Sequence, residues 1–235
     1  MLNINKSPFI VGVINPKIID DELNYIQKNQ PDVVEYRADL NDVINVDIIK
    51  SHLKKISAEL PLPLLFTLRD KCEGGNFYGT DEQRNKIYSE ILDLVDAIDI
   101  ESSLAESSNN VIKTAHTKNI KVVLSYHDFE KTPELSSLYK IVDKCFERGA
   151  DIAKIATMCE TEKEAEQLIS LTVKYDNIAA VGMGKYGRLT RISAPASGSI
   201  LTYAFTDSKD SPVPGQFTIE ELKTAWKSAG IIGIR

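Results

Sequence analysis

Short apolar runs recur along the chain at a near-regular interval. They are "FIVGVIN" (9–15), "VVEYRAD" (33–39), "LLFTLR" (64–69) and "AIDIES" (97–102), then "KVVLSYHD" (121–128), "IAKIAT" (152–157), "IAAVGMG" (178–184) and "ILTYAF" (200–205). β-Branched and aliphatic residues dominate them, so each predicts a strand. Their starts lie roughly 22 to 34 residues apart, the length of a strand plus a crossover helix.

The gaps carry helical patterns. Thr80 with Gln83 three residues on predicts a capping box, and Ile87, Ile91, Leu94 and Val95 then predict one apolar face. Thr161 predicts a second helix start, with Ala165, Leu168, Ile169 and Thr172 on one side. Thr218 opens a last helix and Gly230 closes it. Eight strands alternating with such segments predict a parallel α/β architecture, a (β/α)8 TIM barrel in one domain over 1–235. The runner-up is an open doubly wound sheet, which usually carries a Gly-rich phosphate loop after its first strand. The turn here, "VINPKIIDD", has none.

Composition narrows the function. A length of 235 residues with 43% hydrophobic content suffices for one large core, and no linker or low-complexity segment divides it. No run approaches the roughly 18 apolar residues of a membrane helix. The first apolar run stops at Asn15 and Pro16 and lacks a cationic lead, so a cytoplasmic protein without a signal peptide is expected. Cys72, Cys145 and Cys159 are scattered, which argues against a disulfide framework or a thiolate zinc site. His52, His116 and His127 lack metal-ligand spacing. A net charge of −6 disfavours nucleic acid as a partner. An anionic small molecule would need locally clustered arginine.

A barrel places its active site at the carboxyl ends of its strands. Polar residues collect there: Glu35, Arg37 and Asp39, then Arg69 with Glu73 in the next loop, Glu101, His127 with Asp128, Lys154, and Arg188 with Arg191. Each has a plainer reading. Glu35 and Arg37 share a strand face and could pair with each other. Arg69 could bridge to Asp70 or another surface acid. His127 could bond a backbone carbonyl, Glu101 and Asp128 could be scaffold partners, and Arg188 and Arg191 could be solvated in a Gly-rich loop.

Lys154 is the sharpest case. It shares a strand face with Ile152 and Ala156, and both faces of a parallel barrel strand are covered. It is either a snorkelling or ion-paired lysine, with Glu35 or Glu73 as partner, or an amine that attacks a carbonyl to form an imine. An imine acidifies the neighbouring carbon, and His127 on the adjacent strand is a base suited to take that proton. The reaction class is elimination or carbon–carbon chemistry beside a carbonyl. A class I aldolase would use the same imine, and "VGMGKYG" offers glycines for a phosphate. A non-catalytic barrel binding a carboxylated polyol is the third possibility.

The segments "EYRAD", "TLRDKCEGG", "SYHDF", "AKIATM", "MGKYGRLTR" and "PGQ", in that order from Glu35 to Gln216, resemble the type I 3-dehydroquinate dehydratases. The resemblance implies a (β/α)8 barrel that needs no metal or organic cofactor. It implies dehydration of 3-dehydroquinate to 3-dehydroshikimate in the shikimate pathway, by a homodimer. By position it makes Lys154 the Schiff-base lysine, His127 the general acid/base and Glu73 the carboxylate that orients His127. Glu35, Arg37 and Arg69 would bind ring hydroxyls and Arg191 the substrate carboxylate, for which a guanidinium has bidentate geometry. Gln216 would assist from the last loop, and Met183 and Tyr203 would form an apolar wall, where the family often has Phe in place of Tyr203. One departure stands out. The family's Ser-Ala-Pro-Gly-Gln is "SPVPGQ" here, so Pro212 takes the place of the serine and Ser211 is displaced by one. Two prolines would stiffen this loop, expected to act as a lid.

Overall fold

Residues point alternately inward and outward along eight strands, and the two sets bury against different partners. The computed structural model describes residues 8–206 and 216–231. Its strands are β1 (Phe9–Ile14), β2 (Val33–Arg37), β3 (Leu64–Thr67), β4 (Ala97–Glu101), β5 (Lys121–Asp128), β6 (Ile152–Met158), β7 (Ile178–Met183) and β8 (Leu201–Ala204). The helices are α1 (Ile19–Asn29), α2 (Val46–Glu59), α3 (Asp81–Ile91), α4 (Asn109–Thr117), α5 (Leu135–Glu147), α6 (Glu162–Lys174), α7 (Gly187–Ala196) and α8 (Ile219–Ser228). Strand order is β7-β6-β5-β4-β3-β2-β1-β8, with all neighbours parallel. The remaining seam is drawn together at the base of β7 and β8. Ile200 N donates to Ile178 O at 2.8 Å and Ala180 N to the Ser199 hydroxyl at 3.0 Å. The result is a nearly closed (β/α)8 TIM barrel, and the strand limits fall within two residues of those predicted.

Outward residues such as Ile10, Val34, Phe66, Ile98, Val122, Ile155 and Ala180 pack under the helices. Inward residues at the lower ends, including Val11, Val33, Leu65, Ala97, Val123, Ile152 and Ala179, form a second, separate apolar cluster. Continuing upward on the inward parity, four strands bring in polar side chains, Val33, Glu35, Arg37 on β2; Ala97, Asp99, Glu101 on β4; Val123, Ser125, His127 on β5; Ile152, Lys154, Ala156 on β6, while β1 and β7 stay apolar with Val13, Val181 and Met183. One alternation thus builds an apolar floor and sets a polar layer on it.

Three threonines start their helices as predicted. Thr80, Thr161 and Thr218 form complete capping boxes with Gln83, Glu164 and Glu221. Gly230 follows α8 with φ +69. Two helix readings are corrected. α3 stops at Ile91, and its buried face is Arg84, Tyr88 and Ile91, with Ile87 only partly buried. Arg84, which had no place in the predicted apolar face, is fully buried, although charge normally marks the wet side of a helix. On α6 the buried set is Ala165, Leu168, Leu171 and Thr172, with Ile169 at the edge. No helix among the described residues is long and apolar enough to cross a membrane. Among the same residues no His, Cys, Asp and Glu cluster is arranged to hold a metal ion.

Candidate active site

At the carboxyl end of the barrel the strands surround a cavity of about 200 Å³. The ten residues that the family resemblance placed in the site line it, Glu35, Arg37, Arg69, Glu73, His127, Lys154, Met183, Arg191, Tyr203 and Gln216, whereas Asp39, Glu101, Asp128 and Arg188 from the strand ends do not. Val13, Leu40, Gly74, Asn76, Phe129, Ala156, Val181 and Phe205 complete the wall. The displaced serine and its prolines, 211–214, lie outside the described residues.

Lys154 stands in the middle of β6 with its side chain 7% exposed. Its Nζ donates to Asp99 Oδ2 at 3.0 Å and sits 4.0 Å from the centre of the Tyr203 ring. The sequence offered Glu35 or Glu73 as ion partners. The partner is instead Asp99, two strands away on β4. Register explains this: Ser125 lies beside Lys154 on one side of β5 and Glu101 beside Ser125 on the other, so inward side chains of β4 and β6 meet over the small serine.

Asp99 anchors the site's charge network. Its Oδ1 accepts from Arg69 Nη2 at 2.6 Å and from the Ser125 hydroxyl at 2.6 Å. Burial alone would raise the Asp99 carboxyl, but the Arg69 guanidinium and the Lys154 ammonium outweigh it and hold the group far below the carboxylate range. Arg69 also donates through Nη1 to Glu101 at 2.9 Å and Ser125 at 2.8 Å. Glu101 in turn meets Arg84, whose Nη2 donates to Asp70 at 2.6 Å. Of five guanidinium protons, Arg69 therefore keeps only Nε–H and one on Nη2 for a ligand. Its partners are Asp99 and Glu101 rather than the Asp70 or surface acid of the plainer reading.

Arg37 and Glu35 do not pair with each other through hydrogen bonds. The Arg37 fork goes to Asp39, at 2.8 and 2.9 Å, and Glu35 accepts from the Thr67 hydroxyl at 2.7 Å. Asp39 further accepts from the backbone N–H groups of Arg69 and Asn76, each at 3.2 Å. It thereby ties the end of β2 to the loop that carries Glu73.

That loop is built to present one carboxylate. Asp70 caps the 3-10 turn Lys71–Glu73 by accepting from Cys72 N at 2.8 Å. Gly74 then leaves it at φ +78, a conformation that costs a side-chain-bearing residue. Glu73 Oε2 accepts from His127 N at 3.0 Å and lies 2.9 Å from His127 Nδ1. Ser103 donates to Oε1 at 3.3 Å. Since Oε2 already accepts a backbone N–H, the ring fits as Nδ1–H donor, which leaves the lone pair on Nε2. Burial raises Glu73 to about 7 and lowers His127 well below the imidazole range, the latter reinforced by Arg69 and Lys154. Both shifts oppose an ion pair, so His127 is neutral around pH 7. The charge on Glu73 then decides which ring nitrogen carries the hydrogen. Phe129 lies almost parallel to the imidazole, with centroids 6.4 Å apart, at the cavity mouth.

Arg188 and Arg191 are helical, on α7, rather than in a Gly-rich loop. One helical turn separates their fates. Arg188 points out, half-exposed, to Glu221 at 2.9 Å, and lies away from the cavity. Arg191 is fully buried and donates from Nη1 to Tyr203 O at 2.9 Å, while Trp226 donates to its carbonyl at 2.9 Å. Burial pushes Arg191 down to about 9. The glycines of "VGMGKYG" do not offer a phosphate cradle. Gly182 N donates to Thr190 at 2.9 Å, and Glu160 places a carboxylate against Lys185 N at 3.3 Å.

Asp99, Ser125 and Arg84 are the participants the sequence reading passed over. The signal for Asp99 and Ser125 was parity. Each sits two residues before an inward residue that had been noticed, Glu101 and His127, and so points into the same barrel.

A family model described as type I 3-dehydroquinase matches residues 10–232. A 3-dehydroquinate dehydratase of Methanococcoides burtonii is 34% identical over 224 residues, 95% of each chain. One of Methanococcus maripaludis is 36% identical over 204 residues, 85% of this chain and 88% of its own. The solved type I 3-dehydroquinate dehydratase of Clostridium difficile, with covalent modified comenic acid, superposes with a TM-score of 0.88 at 30% identity, over 96% of this chain and 94% of that one. The 3-dehydroquinate dehydratase structure from Geobacillus kaustophilus shares the fold with a TM-score of 0.86 at 24% identity, over 97% and 93%.

Proposed function

Since the chain belongs to the type I 3-dehydroquinase family, we propose that it converts 3-dehydroquinate to 3-dehydroshikimate and water through an imine on Lys154. Lys154 first gives its ammonium proton to water, the free amine attacks the C3 ketone, a C–N bond forms, and loss of water gives the imine. The imine draws electrons from C2, and His127 Nε2 takes the C2 proton. The resulting enamine expels the C1 hydroxyl, which leaves as water with the proton held by His127. Hydrolysis then consumes one water, frees the product and restores Lys154. The net change is one water lost.

The carrying observation is the placement of Lys154 and His127 on neighbouring strands, both lining one cavity, with Glu73 holding the Nδ1 side of the imidazole. Arg191 suits the substrate carboxylate. It is a buried guanidinium lowered to about 9 by burial, and an anion brought alongside raises it again. Glu35, Arg37 and the two remaining Arg69 protons suit ring hydroxyls, with Gln216 beside them. In this reading the main work of Arg69 is to align Asp99 under the lysine. Met183 and the face of Tyr203 wall off water. The family resemblance extends the proposal to a cytoplasmic homodimer serving aromatic amino-acid biosynthesis. Light scattering of the purified chain tests the dimer.

The test of function is ultraviolet detection of the conjugated enone formed from 3-dehydroquinate. Wild-type protein is expected to produce it and Lys154→Ala to lose it. Near-normal dehydration by Lys154→Ala would exclude the imine route.

A further inference from the structure

One buried polar group in the cavity has no role in the chemistry above. Tyr203 stands on the inward face of β8, 4% exposed, and lines the cavity. Its hydroxyl is fully enclosed and has no hydrogen-bond partner among the described residues. A buried hydroxyl without a partner is a net loss for the fold, so its retention calls for a reason outside the fold. A wall that only excluded water would be served as well by phenylalanine.

The surroundings say what the hydroxyl can meet. The carboxylates that act on it are Glu35 and Asp99, and both Asp99 oxygens are taken, by Arg69 and Ser125 on one side and Lys154 on the other. Glu35 already accepts from Thr67. Burial, with Glu35 and Asp99 acting on it, holds the phenol well above its ordinary range, so at neutral pH it remains a donor. Lys154 Nζ lies 4.0 Å from the ring centre. With the phenol oxygen just beyond the ring edge, Oη and Nζ are about 5 Å apart. An oxygen on the carbon that Nζ attacks is two covalent bonds from Nζ, and on the side that faces Oη it comes within hydrogen-bond reach of it.

We infer that the Tyr203 hydroxyl donates a hydrogen bond to the oxygen on the carbon attacked by Lys154, first the ketone oxygen and then the carbinolamine hydroxyl. This rests on the imine reading above and adds a group to it. The bond strengthens as negative charge builds on that oxygen, so it favours C–N bond formation. No proton is transferred and no further reactant is needed. Tyr203 changes from an apolar wall to a polarising contact.

Tyr203→Phe tests this, since it removes one oxygen and keeps the ring under Nζ. The rate of imine formation is measured by rapid mixing with 3-dehydroquinate and borohydride quench, alongside the melting temperature. The expected result is imine formation about two- to tenfold slower, with an unchanged or higher melting temperature. An unchanged rate of imine formation overturns the inference. So does a lower melting temperature, which would make the hydroxyl a structural group. If the wild-type protein itself traps no adduct, it is the imine reading that fails, and the two failures are thereby distinct.

Discussion

Replacing Asp99 by asparagine removes one charge from the centre of the site and keeps its shape. The carboxylate is fully buried and accepts three side-chain hydrogen bonds, from Arg69 and Ser125 at 2.6 Å and Lys154 at 3.0 Å. Breaking a buried ion pair from one side costs about 3–5 kcal/mol, because the opposite charge stays buried. Two cations lose their counter-ion here, but Arg69 keeps Glu101 at 2.9 Å, and the asparagine oxygen still accepts. The low end, about 3 kcal/mol, is therefore expected. For a chain of this size each kcal/mol moves the midpoint by about 2–4 °C, so Asp99→Asn should melt roughly 6–12 °C lower. Calorimetry at pH 6 and pH 8 checks both size and sign. The folded value of Asp99 is depressed, so its contribution is complete above the unfolded value near 3.9 and fades only as pH falls through the folded one. The deficit should therefore persist at both pH values. A midpoint within about 2 °C of wild type, or a deficit that disappears at pH 6, would refute the assignment of Asp99 as the charge anchor.

Three further outcomes follow from the geometry. Glu73, raised to about 7 by burial, should give kcat/KM an acid limb that falls through about pH 7, and Glu73→Gln should lose that limb with a plateau roughly tenfold or more lower. The stability sign runs the other way: the protonated form is favoured in the fold, so this contribution is complete below about 4.3 and is lost as pH rises through about 7. Glu73→Gln should accordingly gain on wild type in melting temperature between pH 5 and pH 8. Arg191→Lys gives up the planar fork at a buried site, and steady-state kinetics should show KM for 3-dehydroquinate higher by roughly 10- to 100-fold with little change in kcat. Gly74→Ala places a side chain at φ +78 against the Phe129 ring, so melting should fall a few degrees, for about 1 kcal/mol, while kcat falls further because Glu73 moves off His127.

Much of this site could be read from the chain because two periodicities carry it. The strand-plus-helix interval gave the barrel, and period-two alternation then put Glu35, His127 and Lys154 inside it. Thr80, Thr161 and Thr218 marked helix starts because each capping box is a local interaction over four residues. What alternation could not give was pairing across the barrel. Lys154 meets Asp99 rather than Glu35 or Glu73 because of inter-strand register, and register depends on the tilt of the whole sheet. Arg84 was passed over because its compensation lies elsewhere in the chain, at Asp70, Leu68 O and Glu101. Arg188 and Arg191 were grouped in a loop because glycines surround them. Three positions along one helix turn separate them into a surface ion pair and a buried guanidinium.

Lys154 as the covalent centre is the claim on which the mechanism stands. The direct measurement is borohydride reduction of the protein in the presence of 3-dehydroquinate, followed by peptide mass mapping. The expected result is one reduced ligand adduct, on the peptide carrying Lys154, absent in Lys154→Ala and absent without substrate. Full dehydration activity with no adduct on Lys154, or an adduct on a different lysine, would contradict it.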